Sequence, residues 1–116
     1  MYGIPRLKVV FYKSKNGKEP VRDWLKSLSI QDKKIIGEDI KTIQFGWPLG
    51  MPLVRKLESG LWEVRSNTST GIARVLFTIQ EELMVLLHGY IKKSVKTPLD
   101  ELSLARKRLA QVRGEE

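Results

Sequence analysis

The spacing of hydrophobic residues changes halfway along the chain, from a helical period to an alternating one. Residues 7–12 are rich in β-branched and aromatic types, which predicts a first strand. Pro20 stands where a first helical residue would, and apolar residues follow it on one helix face: Val21, Trp24, Leu25 and Leu28. Ser29, with Asp32 three residues later, predicts the start of a second helix that runs to about Phe45.

The second half of the chain predicts three strands and a last helix. Two prolines and two glycines make residues 46–52 irregular. The strands are predicted over residues 61–66, 72–79 and 83–91. Their short loops favour antiparallel neighbours, and the third strand, apolar on both faces, is expected to lie centrally. Thr97 as N-cap and Pro98 at the first position predict the last helix.

These elements predict a single α+β domain spanning residues 1–116. Their order is β-α-α-β-β-β-α, with one antiparallel-rich sheet, two helices in the N-terminal half and one at the C-terminus. The length of 116 residues is that of one domain, and 41% hydrophobic residues are enough for one packed core.

The charge balance favours an anionic partner. Lys and Arg number 21 against 13 Asp and Glu, so the formal net charge is +8. A small domain this basic associates with polyanions, chiefly through phosphates, although an excess of one charge also serves solubility.

Several classes of protein are excluded or disfavoured by what the sequence does not contain. The chain has no cysteine, which excludes disulfides, cysteine zinc sites and thiol nucleophiles, and its single histidine disfavours other metal sites. No apolar run approaches the roughly 20 residues of a membrane span, and no signal-peptide pattern begins the chain. We therefore expect a cytoplasmic protein with no cofactor, no metal and no membrane partner.

Basic residues concentrate around the predicted strands. Arg65 ends the first strand of the meander, and Arg74 lies in the middle of the next. The planar fork of an arginine there can bind two phosphate oxygens at once. Alternatively, Arg74 is a surface residue paired with a neighbour such as Glu63, an arrangement that usually contributes little.

The end of the last predicted strand combines aromatic and basic residues. His88, Tyr90 and Lys92 share one side of that strand, and Lys93 and Lys96 follow before any acidic residue. Such a stretch can hold a phosphate backbone while a base stacks on the ring. His88 is either structural, as a lone histidine at a strand end usually is, or a proton shuttle.

Three segments together form a specific pattern. Residues 56–65 resemble K-L-x-x-G-L-W-E-L-R, residues 74–77 resemble the strand Y-R-V-F-Y with Ala73 at its aromatic position, and residues 86–98 resemble L-L-H-G-F-x-K-K-x-x-K-T-P. These patterns are those of the Gp49-like HigB toxins in the RelE/ParE superfamily. The resemblance extends from residue 7 to about residue 112.

The resemblance implies the RelE-like fold and the toxin of a type II toxin–antitoxin module. Such toxins are metal-independent endoribonucleases that cut mRNA on the ribosome, where the ribose 2′-hydroxyl attacks the adjacent phosphate. The residues carried over as catalytic are Arg65, Arg74, Lys92 and Lys93, and those carried over as RNA-binding are His88, Tyr90 and Lys96. Arg74 is expected to stabilise the phosphate, so that Arg74→Ala abolishes toxicity and leaves the fold intact. The general base and acid are not assigned.

The resemblance also implies partners and leaves other functions open. The partners are a helix-turn-helix antitoxin of the HigA kind, the ribosome and its mRNA, and operator DNA only through the antitoxin complex. ParE-like relatives share the fold but inhibit DNA gyrase without cutting RNA, and an inert phage-derived domain is a third possibility. The four catalytic cations favour the nuclease, because a gyrase inhibitor has no chemical need to keep them together.

Overall fold

A computed structural model describes residues 4–92 and 98–114 of the chain. The elements run in the order β1 (Lys8–Phe11), α1 (Pro20–Lys26), α2 (Ile30–Gly46), β2 (Val54–Glu58), β3 (Leu61–Thr68), β4 (Gly71–Gln80), β5 (Leu83–Lys92) and α3 (Leu99–Arg113). Within these described residues, five strands form one mixed sheet and three helices cover it. The predicted α+β class with one sheet is confirmed.

The sheet has the strand order β1-β5-β4-β3-β2. β1 runs parallel to β5, and the other three pairings are antiparallel, so the prediction of an antiparallel-rich sheet is confirmed. β5 is an interior strand, as its two apolar faces indicated, although the middle position belongs to β4.

The predicted order of elements is wrong by one strand, because residues 54–58, which form β2, were assigned to no element. The described order is β-α-α-β-β-β-β-α. β2 lies at the edge of the sheet and its sequence, VRKLE, is more than half charged. Edge strands tolerate charge because one side faces solvent, and this hides their alternation. Gly60 at φ 77° makes the turn from β2 to β3.

The helix ends follow the predicted signals with one difference. Pro20 is the first residue of α1, and the Ser29 side chain accepts a hydrogen bond from the Asp32 N–H at 3.1 Å at the start of α2. α3 begins at Leu99 with Pro98 before it, one residue later than predicted. The predicted cap, Thr97, lies outside the described residues. No described helix is long and apolar enough to cross a membrane.

The sheet separates two hydrophobic cores. α1 and α2 pack on one face, whose buried residues include Ile36, Ile43, Val64, Val75 and Phe77. α3 packs on the other face, whose buried residues include Leu61, Leu76, Leu87, Ala105 and Leu109. The buried strand residues named for the α3 core lie toward the start of β3, the end of β4 and the first half of β5. The opposite end of that face carries polar and charged residues, and this is where the candidate site lies.

Candidate active site

Two rows of side chains cross the open end of the α3-covered face. The strand register places Arg65 of β3 beside Arg74 of β4, and Arg74 beside Tyr90 of β5. The next row on this face runs from Asn67 of β3 through Ile72 of β4 to Lys92 of β5. Since side chains two residues apart point to the same side of a strand, the sheet brings three predicted site residues together: Arg65, Arg74 and Lys92.

A buried ion pair lies at the centre of this group. Arg74 Nη1 donates to Glu63 Oε1 at 2.5 Å, and the two residues are 2% and 0% exposed. Arg74 Nε and Glu63 Oε2 are also buried, and neither has a hydrogen-bond partner in the described part of the chain. The alternative prediction for Arg74 therefore named the right partner, but the pair is inside the protein rather than on its surface.

The burial of this pair changes what an Arg74 substitution would do. A lone carboxylate without water or a counter-ion is costly, and removing one partner of a buried pair destabilises proteins by about 3–5 kcal/mol. The burial of the pair therefore argues against the expectation that Arg74→Ala leaves the fold intact, and predicts that the substitution destabilises the fold. Arg74 therefore stabilises the fold, in addition to any effect that its charge has on a substrate.

The cations around the buried pair are more exposed than Arg74. Arg65 and Lys92 are half-buried and Arg55 of β2 is exposed, with Arg55 directly opposite Glu63 in the β2–β3 register. We call Arg55, Arg65, Arg74 and Lys92 the cation cluster. Arg55 was missed by sequence reasoning because its strand was missed; the turn at Gly60 was the available signal.

The pKa of Lys92 is affected by the other three members of the cation cluster. The pKa of the Lys92 ammonium is lowered, first by its partial burial and then by the positive charge of Arg74, while Glu63 partly offsets the effect. Arg55 and Arg65 lower this pKa further. A lysine with a lowered pKa has a larger neutral fraction near pH 7, and only a neutral amine can accept a proton.

His88 joins the sheet to α3. Its Nε2 lies 3.1 Å from Glu101 Oε1, its Nδ1 lies 3.4 Å from Arg108 Nη1, and its side chain is 13% exposed. Burial lowers the pKa of His88, Glu101 raises it in part, and Arg108 lowers it. Arg108 also donates to the Leu87 carbonyl at 2.8 Å. These contacts favour the structural interpretation of His88 over the proton shuttle.

The remaining predicted site residues divide into one that is buried and two that the structure does not describe. Tyr90 is 9% exposed, and its ring stacks on the His88 ring with centroids 5.6 Å apart. The ring therefore packs against His88 as part of the α3 core instead of standing out from the sheet. Lys93 and Lys96 lie outside the described residues.

A second buried carboxylate holds the loop beside the cluster. Asp32, near the start of α2, is 2% exposed and accepts hydrogen bonds from the Ser69 N–H at 3.1 Å and the Ser69 hydroxyl at 3.0 Å. Ser69 lies in the β3–β4 loop, so this contact ties that loop to the helix layer. From its position in the sequence, Asp32 was expected only to take part in the cap of α2.

The chemistry that this arrangement supports is stabilisation of an anion. Four cations on four neighbouring strands, one of them paired with a buried carboxylate, present a positive field to a phosphate whose charge rises during reaction. Among the described residues, no group of three His, Cys, Asp or Glu side chains is placed to hold a metal ion.

Comparison with known proteins assigns most of the chain to one family. The family model described as phage derived protein Gp49-like matches residues 23–110, a stretch that begins in α1 and ends in α3. The match includes every strand that carries the cation cluster. No curated protein matches the chain.

Proposed function

Because the chain belongs to the Gp49-like family, which is a family of RelE/HigB-like toxins, we propose that it is a ribosome-dependent endoribonuclease. In this proposal it is the toxin of a type II toxin–antitoxin module and halts translation by cutting mRNA. The observation that carries the proposal is the cation cluster around the buried Glu63–Arg74 pair.

The reaction is an internal transfer at one phosphate. The ribose 2′-oxygen forms a bond to phosphorus, the bond to the 5′-oxygen of the next nucleotide breaks, and a 2′,3′-cyclic phosphate and a 5′-hydroxyl result. One proton leaves the 2′-hydroxyl and one joins the departing 5′-oxygen. The charge that builds on the phosphate oxygens is what the cation cluster stabilises.

The side chains take different roles according to their exposure. Arg65 and Lys92 reach the open face and contact the phosphate, while Arg74 lies below and adds its charge from the interior. Lys92 in its neutral form takes the proton of the 2′-hydroxyl, which its lowered pKa assists. Lys93 is assigned a further catalytic charge and Lys96 a contact with the RNA, both from the family pattern, whereas Tyr90 supports the site from the interior by stacking on His88.

The RNA partners follow from the same charge, and the antitoxin partner follows from the family. An excess of eight positive charges steers the protein toward ribosomal RNA and mRNA. The toxin is neutralised by an antitoxin with a helix-turn-helix domain of the HigA kind, and it meets operator DNA only within that complex. Its place of action is the cytoplasm.

Cleavage in a translating extract tests the proposal. mRNA ends are mapped by primer extension with wild-type protein, with Lys92→Gln and with Lys107→Gln, which removes the same charge from the exposed side of α3. We expect translation-dependent cuts from the wild type and Lys107→Gln, and a loss of about a hundredfold or more in rate with Lys92→Gln. Intact mRNA with a wild-type protein that still stops growth would contradict the proposal and favour the gyrase inhibitor.

A further inference from the structure

A pocket adjoins the cation cluster where β2 begins. Val54, the first residue of β2, pairs with Val64 of β3. Next to this pair, the Arg65 N–H donates a hydrogen bond to the Leu53 carbonyl at 2.9 Å. β3 continues to Thr68, with β4 as its partner. A cavity of about 300 Å³, here called the edge pocket, opens at this point; its lining is Asp39, Pro52, Leu53, Arg65, Asn67 and Ile72.

The walls of the edge pocket are of two kinds. Pro52, Leu53 and Ile72 supply apolar surface, whereas Asp39 of α2 and Asn67 of β3 supply polar groups. Within the described residues, neither of these two polar side chains has a hydrogen-bond or ion-pair partner. With Arg65, three of the six lining residues are polar or charged and three are apolar, and about 300 Å³ is at the lower end of the volumes of small-molecule sites.

The edge pocket and the cation cluster share Arg65. The Nε of this arginine is buried and has no hydrogen-bond partner in the described part of the chain. Asn67 and Ile72 also belong to the row of side chains that ends at Lys92. Two strand spacings separate Asn67 from Lys92, or about 10 Å. A phosphate held between Arg65 and Lys92 therefore places a neighbouring base within reach of the pocket.

We propose that the edge pocket binds one base of the RNA and that Asp39 selects a base with an exocyclic amino group. The inference rests on the proposed ribonuclease function and names a specificity determinant for it. An ionised carboxylate only accepts hydrogen bonds and repels phosphate, so the ligand atom beside it is an N–H donor. Cytosine, adenine and guanine carry such an amino group, and carboxylates accept from it in known base contacts. Uracil has carbonyl oxygens at the matching positions.

Cut-site sequencing tests this selection in a translating extract. Cuts are compared among wild type, Asp39→Asn and the control Glu38→Gln, which removes a carboxylate from the neighbouring exposed position of α2. We expect uridine to be depleted about tenfold at one position beside the cut with wild type and control, and the depletion to disappear with Asp39→Asn, whose amide can also donate. Cutting with an unchanged base profile in Asp39→Asn overturns the inference and leaves the nuclease in place.

A binding measurement separates this inference from the proposed function. Free protein is titrated with cytidine 5′-monophosphate and uridine 5′-monophosphate, and the backbone amides of Asn67 and Ile72 are followed by NMR. We expect the cytidine nucleotide to bind about tenfold more tightly and Asp39→Asn to abolish the difference. If wild type cuts no mRNA but shows this difference, the ribonuclease fails and the base pocket stands. Equal binding of the two nucleotides, or no shift at these amides, overturns the pocket.

Discussion

Replacing Arg74 by alanine tests how much the buried Glu63–Arg74 pair contributes to the free energy of unfolding. The substitution leaves the Glu63 carboxylate fully buried without a counter-ion, which costs about 3–5 kcal/mol. Single domains are stable by only about 5–15 kcal/mol. We therefore expect Arg74→Ala to lose a large share of its free energy of unfolding, together with its activity.

Urea unfolding followed by tryptophan fluorescence measures this cost. Trp47 and Trp62 meet edge to face at 5.3 Å against the α1–α2 core and report the loss of packing. Arg22→Ala is the matched control, because Arg22 pairs with Glu19 at the surface. An exposed pair of this kind contributes at most about 1 kcal/mol. A loss below about 1 kcal/mol in Arg74→Ala would refute the argument from burial.

A double variant separates stability from activity. Replacing a buried ion pair by apolar residues of similar volume is often neutral or stabilising. Glu63→Leu combined with Arg74→Met should therefore regain most of the stability that Arg74→Ala loses, and yet cut no mRNA. A stable double variant that retains full activity would remove Arg74 from the reaction.

Two further predictions concern the packing around the site. The folded state holds the pKa of His88 below its ordinary 6.5, so the unfolded chain takes up the proton first as pH falls. The wild type should therefore lose free energy of unfolding between about pH 7.5 and 5.5, and His88→Gln should not. Parallel stability curves for the two proteins over this range would contradict the prediction. In Gly89→Ala the added methyl would meet the Trp24 ring, and we expect a loss of about 1–3 kcal/mol in urea unfolding. Gly37→Ala, in open space on α2, is the control and should gain about 0.5–1 kcal/mol, whereas equal effects at the two sites would contradict the packing argument.

Local pattern was sufficient for most elements of the fold. The apolar runs of β3 and β4 are strong signals because both strands contribute to both hydrophobic cores, and the helical period after Pro20 is strong because α1 buries one face against the sheet. β2 escaped prediction because an edge strand buries little and carries charge. Because β2 was not predicted, Arg55 was not recognised as a site residue; it lies opposite Glu63 only when β2 pairs with β3.

The candidate site was only partly predictable, because it depends on strand register. The sequence marks Arg65, Arg74 and Lys92 as basic residues in or beside strands, but it does not show that they lie on adjacent strands of one face. Nor does it show which cations face solvent. Glu63 could be named from the sequence as a partner of Arg74, but only the tertiary packing shows that the pair is buried.

Cleavage of a single defined mRNA on purified ribosomes tests the central claim most directly. One message carries ribose at the mapped cut site and a matched message carries 2′-deoxyribose at that nucleotide alone. The account predicts that the protein cuts the first message on the ribosome, leaving a cyclic phosphate and a 5′-hydroxyl, and leaves the second intact. Cleavage of both messages, or of neither, would contradict the assignment of the cation cluster to attack by the 2′-hydroxyl.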